Sequence, residues 1–308
     1  MTRNPAPVLS LPNPVPDLGA ERLAGFGASR WQEWTQGFQS LRQRWACLNL
    51  NCTERSGLRA WCKLPSRIQL QQGWCCSPEC FETAFQRLAA GILHEPAPGP
   101  MRPHRIPIGL TLLSRGLIDQ SQLKLALEAH NARGGRVGEW LVRQGAVGED
   151  AVATAVALQW ARPTFPLAQS QGWRQVRSWM PLTLLEALRM LPLHFAAQPR
   201  KLYVGFTQAV EFSALEALSE IFECKTESCI VTDSALDAVF EQMRALPEPD
   251  QVQDVAFDRI TDSHEIAGTV RQYARYAEAR QIRLASVGRF LWVRIRGQRA
   301  VHLSFKYR

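Results

Sequence analysis

Residues 107–130 read P-I-G-L-T-L-L-S-R-G-L-I-D-Q-S-Q-L-K-L-A-L-E-A-H, and residues 136–159 read R-V-G-E-W-L-V-R-Q-G-A-V-G-E-D-A-V-A-T-A-V-A-L-Q. An offset of 29 lays Gly109 on Gly138, Leu112 on Leu141, Gly116 on Gly145, Leu123 on Val152, Ala126 on Ala155 and Leu127 on Val156. A fixed period with apolar residues and glycines in register marks one structural unit written twice. Two copies are too few for a solenoid, so the stretch is a two-repeat module.

Within each copy the apolar positions step by three and four, the helical period. A short helix is expected from Gly109 to Arg115, stopped at Gly116, because glycine takes the left-handed conformation that closes a helix. The next helix is expected to start at Asp119, with Gln122 three residues on completing a capping box. Gly145 is the stop in the second copy. Each repeat is then a helix–turn–helix hairpin. The two stack on their Leu and Val faces as a helical domain over residues 106–162.

The tandem pattern R-[LV]-G-x-x-L-x-x-x-G-x-x-x-x-x-x-[LV]-x-x-A-[LV]-x-x-Q resembles the N-terminal, MshEN-type domain of type II secretion and type IV pilus assembly ATPases. The resemblance implies cyclic di-GMP as ligand, one repeat to each half of it. It assigns Arg136, Val137, Gly138, Leu141, Gly145, Val152, Val156 and Gln159 to the site from the second repeat. From the first it assigns Ile108, Gly109, Leu112, Gly116, Leu123 and Leu127. The first repeat departs twice: Pro107 stands where Arg136 would be, and His130 where Gln159 would be. Arg105, two residues upstream, is the substitute donor, and His130 still offers a hydrogen bond. The residue types suit such a ligand. Glycine lets backbone approach an anion, Leu and Val wall a flat guanine, and forked Arg and Gln heads meet phosphate or base edge. A module that keeps its packing glycines but has lost the ligand fits the same glycines and is the alternative.

Length and charge bound the rest. A chain of 308 residues suggests about two domains, and 46% hydrophobic with 21% charged residues is ordinary globular composition. No run of eighteen apolar residues occurs, so no transmembrane helix is expected. The first sixteen residues, M-T-R-N-P-A-P-V-L-S-L-P-N-P-V-P, lack an apolar core and read as a Pro-rich arm (1–18). A cytoplasmic protein is expected, in which eight cysteines point to metal or free thiols before disulfides. The net charge of +8 is concentrated at one end: Arg271–Arg308 holds ten Lys and Arg against the single acid Glu278.

Residues 19–93 read as a helix plus a cysteine module. Trp31, Trp34, Phe38, Leu41 and Trp45 step by three and four, giving an amphipathic helix over Glu21–Trp45. Cys47-x4-Cys52 and Cys76-Ser-Pro-Glu-Cys80 are two thiol pairs separated by a loop, the usual way to build tetrahedral zinc. Ser77 is a natural N-cap and Pro78 a natural first helical residue, which puts both thiols of the second pair at a helix N-terminus. W-C-C-S-P-E-C-F resembles the second knuckle of treble-clef-like zinc fingers. Cys62 and Cys75 compete as ligands, and reduced structural cysteines are the alternative. Four thiolates leave no open position, so the zinc would be structural.

A Pro-rich linker (94–105) leads into the repeats. Beyond them, residues 163–246 give strands at Leu193–Ala197 and Lys201–Phe206, a helix at Phe212–Phe222, a strand at Lys225–Val231 and a helix at Ser234–Met243. This β-β-α-β-α order is a small α/β sandwich, and it resembles the part that follows the repeats in the same ATPases. Cys224 and Cys229 are expected to be simply buried. Residues 247–308 give a linker, a helix at Glu265–Ala279, and strands at Gln281–Ser286, Phe290–Arg296 and Ala300–Phe305. Arginines that alternate along those strands read as a solvated face.

No glycine is followed by Lys, so no phosphate-binding P-loop exists, and neither G-x-S-x-G nor H-E-x-x-H occurs. The expectation is an α+β multidomain protein: a small zinc-binding module, two tandem helical hairpins, a small α/β sandwich and a short α/β tail. Its expected role is a non-catalytic cyclic-di-GMP-binding adaptor whose partners are secretion or pilus assembly proteins. A zinc-containing nucleic-acid-binding protein using the basic tail, and a ligand-free scaffold, are the alternatives.

Overall fold

In the computed structural model the described residues are 46–53, 67–95, 106–247, 252–258, 260 and 262–307. The expected Trp-rich helix, the Pro-rich arm, Cys62 and Arg105 lie outside them.

The repeats form four helices: α2 (Ile108–Ser114), α3 (Gln120–Arg133), α4 (Val137–Arg143) and α5 (Glu149–Trp160), with α1 (Pro78–His94) preceding them. Both stop glycines are left-handed, Gly116 and Gly145 each with φ of 68°. Asp119 caps α3, and Gln122 returns the bond to the Asp119 backbone N–H as a complete capping box. The hairpins interleave: α2 lies on α5 and α3 on α4. Leu112 and Leu141, equivalent by the repeat, are fully buried between them with Ile118, Ala126 and Ala155.

The close packing explains two more glycines. A Cβ on Gly109 would lie 2.5 Å from Leu123 Cδ1, and one on Gly138 would lie 2.8 Å from Val152 Cγ1. Glycine therefore lets each short helix meet the long helix of its own hairpin.

The α/β unit follows, with short helices α6 (Trp173–Val176) and α7 (Leu182–Ala187) ahead of strand β3 (Met190–Ala196). Strand β4 (Lys201–Phe206), α8 (Phe212–Phe222), β5 (Lys225–Ile230) and α9 (Asp233–Ala245) complete the β-β-α-β-α order. Strand β4 pairs antiparallel with β3 and parallel with β5. Its core includes Trp173, Leu184, Leu191, Phe206 and Leu218, and takes in Ala153, Val156 and Ala157 from α5. The second repeat is thus fused to the α/β unit.

The two ends of the described chain meet, which corrects the division into a zinc module (19–93) and a separate tail (247–308). Strands β1 (Ile68–Leu70) and β2 (Gly73–Cys75) join β6 (Val252–Asp258), β7 (Gln281–Val287), β8 (Phe290–Arg296) and β9 (Ala300–Lys306) in a sheet ordered β2-β1-β7-β8-β9-β6. The junction is a parallel pairing of Gln69 with Gln281 and Leu70 with Ile282. Gln71 fastens it, its amide donating to Leu284 O at 2.6 Å. One apolar core follows: Leu70, Phe81, Phe85 and Ala89 pack with Ile266, Val270, Leu284, Val293 and Phe305. Helix α10 (Ser263–Tyr276) lies against α1 over that core, with Arg271 paired to Glu82. Fully burying a Phe or Leu contributes roughly 1.5–3 kcal/mol, so a three-residue strand suffices once Phe81 and Phe85 sit beneath it. Strand β6, within the expected linker-and-tail stretch, pairs with β9 along its whole length.

The opposite face of β7 and β8 is also covered. Ala285, Val287 and Trp292 pack into the α/β core beside α8. Arg283 is buried there and Arg294 is half-buried, so of the arginines on β7 and β8 Arg296 alone stands on the expected solvated face.

Candidate functional site

Two constellations stand out among the described residues. In the first, the Sγ atoms of Cys47, Cys52, Cys76 and Cys80 all lie within 4.8 Å of one another. Cys52 and Cys76 are 3.5 Å apart, and Cys76 and Cys80 3.7 Å. A tetrahedron of thiolates about 2.3 Å from zinc needs edges of about 3.8 Å, so the cluster fits that ion. Ser77 caps α1 by accepting from Cys80 N at 3.2 Å, with Pro78 at the first helical position. Cys52 N donates to Asn49 O, and Leu48 N to Trp74 O, which brings the first pair to the second. Burial, then contact with Cys52, Cys80 and Cys47, pushes the Cys76 thiol up. Against its own burial, hydrogen bonds from Asn49 and at Ser77 hold the Cys80 thiol below the ordinary range. Cys75, a competitor by sequence, belongs to the sheet core instead. It is fully buried and its thiol is pushed up to about 12, first by burial.

The second is a cavity of about 330 Å³ where the second repeat meets the α/β unit. Ile108, Arg136, Gly138, Val152 and Val156, all among the expected ligand residues, line it. Arg136 stands at the start of α4, and its guanidinium meets the Asp233 carboxylate at 2.9 Å. Arg189 pairs with the same carboxylate at 2.6 Å and also with Asp237. Burial alone would raise the acid, but Arg189 and Arg136 hold Asp233 below the usual carboxylate range. Glu149, at the start of α5, accepts from Ser234 N at 2.8 Å and from its hydroxyl, tying the second hairpin to the start of α9. Arg143 and Glu139 complete a lining in which both signs of charge are interleaved.

Part of the sequence is similar to proteins with established names. It is 25% identical over 128 residues, 42% of this chain, to the type IV pilus assembly ATPase PilB of Thermus thermophilus. The matched part is 14% of that ATPase. Among solved structures, MshE with cyclic di-GMP aligns over 45% of this chain and 99% of its own, at 24% identity and a TM-score of 0.37. The N-terminal domain of XpsE aligns over 44% and 92%, at 19% identity and a TM-score of 0.33. No family model matches the sequence. The chain resembles the MshEN-type domain of secretion and pilus ATPases.

Only some of the ligand residues that the resemblance implies line the cavity. Beyond those lining the cavity, Leu112 and Leu141 are fully buried between the hairpins, where they hold the fold. Gly116 and Gly145 serve the helix stops, away from the cavity lining. Leu123, Leu127 and Val137 do not line the cavity either, and Leu127 is 42% exposed.

His130 and Gln159 have matching internal tasks. Gln159 Nε2 donates to Ile106 O at 2.8 Å, and His130 Nδ1 bonds Gly135 O at 2.7 Å. Ile106 and Gly135 are themselves equivalent by the repeat, so each hairpin's last helix fastens the entry of the other. That shared task explains why His replaces Gln without loss of the hairpin. Sequence reading missed Glu149, Arg189, Asp233 and Asp237, which carry no motif and approach Arg136 only through the fold.

Proposed function

We infer that this chain is a non-catalytic regulatory adaptor of a type II secretion or type IV pilus system, acting in the cytoplasm and binding cyclic di-GMP at its second repeat. One observation carries the reading: Arg136, Gly138, Val152 and Val156, which the tandem motif marks, converge with Ile108 on a single cavity. Clefts of about 300–1,000 Å³ hold small ligands, and this one, near the low end, has room for one guanosine-phosphate half. Arg136 supplies a forked donor for phosphate or guanine. MshE was solved with this ligand; the inference here rests on the residues of this chain's own second repeat.

A bound phosphate takes Arg136 from Asp233 and so loosens the tie between α4 and α9. That exchange is the two-state element through which ligand would reach a partner. Calorimetric titration with cyclic di-GMP, with GMP and GTP as controls, tests the reading. Saturable binding lost in Arg136→Ala supports it, and absence of binding at high micromolar ligand refutes it.

The cysteine cluster is proposed as a structural zinc site on Cys47, Cys52, Cys76 and Cys80. With four protein donors the ion would cross-link the 47–52 loop to α1 and leave no position for a reacting water.

A further inference from the structure

A second cavity, of about 380 Å³, opens where α8 ends against strands β7 and β8. Arg200, Arg283, Arg294 and Arg296 line it, with Glu223 the one acidic residue in the lining. Two of the arginines are accounted for by the fold. Arg200 donates to Phe222 O at 2.8 Å and Glu223 O at 3.1 Å, while Arg283 bonds Glu220 O and pairs with Glu223. They satisfy carbonyls at the helix C-terminus, where cations are favoured.

Arg294 and Arg296 have no such task. Arg294 stands directly opposite Arg283 in the antiparallel ladder, and Arg296 two residues on shares its face. Like charges directly opposite are destabilising. Arg294 has no hydrogen-bond or ion-pair partner among the described residues, and its Nε is buried without an acceptor. Its guanidinium lies 4.4 Å from the Phe222 ring centroid. Burial, then the charges of Arg296 and Arg283, lowers its pKa to about 10. A cation held this way is costly unless an anion meets it.

We propose that this cavity binds a small, multiply charged phosphoryl anion through Arg294 and Arg296, at a site separate from the repeat cavity. The surplus of three positive charges (four arginines against Glu223) in a small volume calls for two or three negative charges on a compact body. Phosphoryl groups provide that, and each offers oxygens spaced for a guanidinium fork. An acidic peptide brings one charge per side chain and spreads them over more length than the cavity has. The proposal does not depend on cyclic di-GMP binding.

Pyrophosphate titrated into the full-length protein at low ionic strength tests it, with inorganic phosphate, a Glu-rich peptide and sodium chloride at matched ionic strength as comparison arms. One saturable pyrophosphate site is expected, with weaker binding of phosphate. Arg294→Gln should weaken it about ten-fold to a hundred-fold. Arg294→Lys, which keeps the charge but loses the fork, should fall between. Should Arg294→Gln fail to fold, the exposed Arg296→Gln decides, with a weakening of at least several-fold expected. Arg136→Ala should leave pyrophosphate binding unchanged. The proposal is overturned by no binding at millimolar pyrophosphate, by equal competition from chloride, by preference for the peptide, or by loss of binding in Arg136→Ala but not at Arg294 or Arg296.

Discussion

Arg136 Nη2 lies 2.9 Å from Oδ2 of Asp233, joining the start of α4 to the first residue of α9 across the repeat cavity. The pair is partly exposed, so its own contribution to stability is small. Its consequence is competition, because the residue that the tandem motif marks for a ligand already holds a carboxylate. Asp233→Asn is therefore expected to tighten cyclic di-GMP binding by about two- to five-fold, the loss of a competing pair worth up to about 1 kcal/mol. Arg136→Ala should weaken it about ten-fold to a hundred-fold, as loss of a charged hydrogen-bonding partner does. Calorimetry on both variants checks the pair. Unchanged affinity in Asp233→Asn would show that the carboxylate does not compete.

The two close-packed glycines should respond differently to alanine. At Gly109 the added Cβ meets Leu123 Cδ1, the far end of a side chain that can turn aside. At Gly138 it meets Val152 Cγ1, on a β-branched side chain with one favoured rotamer in a helix. Alanine gains about 1 kcal/mol in helix propensity at both sites, and overpacking costs about 1–3 kcal/mol where the neighbour cannot yield. Gly109→Ala should be close to neutral, and Gly138→Ala destabilising by about 1 kcal/mol or more, read from urea midpoints. Equal effects would mean that Val152 shifts as freely as Leu123.

Metal content separates Cys75 from the four clustered thiols. Protein purified without added zinc should carry about one equivalent, and Cys76→Ser should lose it. Cys75→Ser should keep it, despite the cost of placing a hydroxyl in the core. Chelation should lower the melting temperature by about 5–10 °C, the shift that a loss of roughly 2–3 kcal/mol produces in a unit of this size. Retention of metal in Cys76→Ser would disprove the ligand set.

Where the determinants are local, the fold was legible. The 29-residue offset, the Asp119–Gln122 box and the Gly116 and Gly145 stops specify the hairpins within a few residues. Pairing of Gln69 with Gln281 leaves no such trace. Three-residue strands are too short to show a period, and burial on both faces of β7 and β8 depends on α8, not on neighbours in sequence. The same holds for the sites. Paired cysteine spacing and a capped helix announce the thiol cluster, whereas Asp233 approaches Arg136 only after the α/β unit has packed on α5.

His302 gives the acid limit of the fold. It is fully buried, accepting from Trp292 Nε1 through Nδ1 at 3.2 Å and bonding Ser178 O through Nε2 at 3.2 Å. That pattern fixes one neutral tautomer, with the proton on Nε2. Burial first, and then the nearby Arg294 charge, lowers its pKa from 6.5 to about 3. A proton then binds the unfolded chain below about pH 6.5 but the folded chain only near pH 3. Stability from this group is complete above pH 6.5 and is lost as pH falls toward 3, at about 1.4 kcal/mol per unit. Between about pH 6.5 and 5, above the usual carboxylate range, the expected loss is about 2 kcal/mol. Denaturant unfolding across that window measures it. His302→Gln should be less stable at neutral pH but should remove this slope. An unchanged slope in the variant would place the acid sensitivity on other groups.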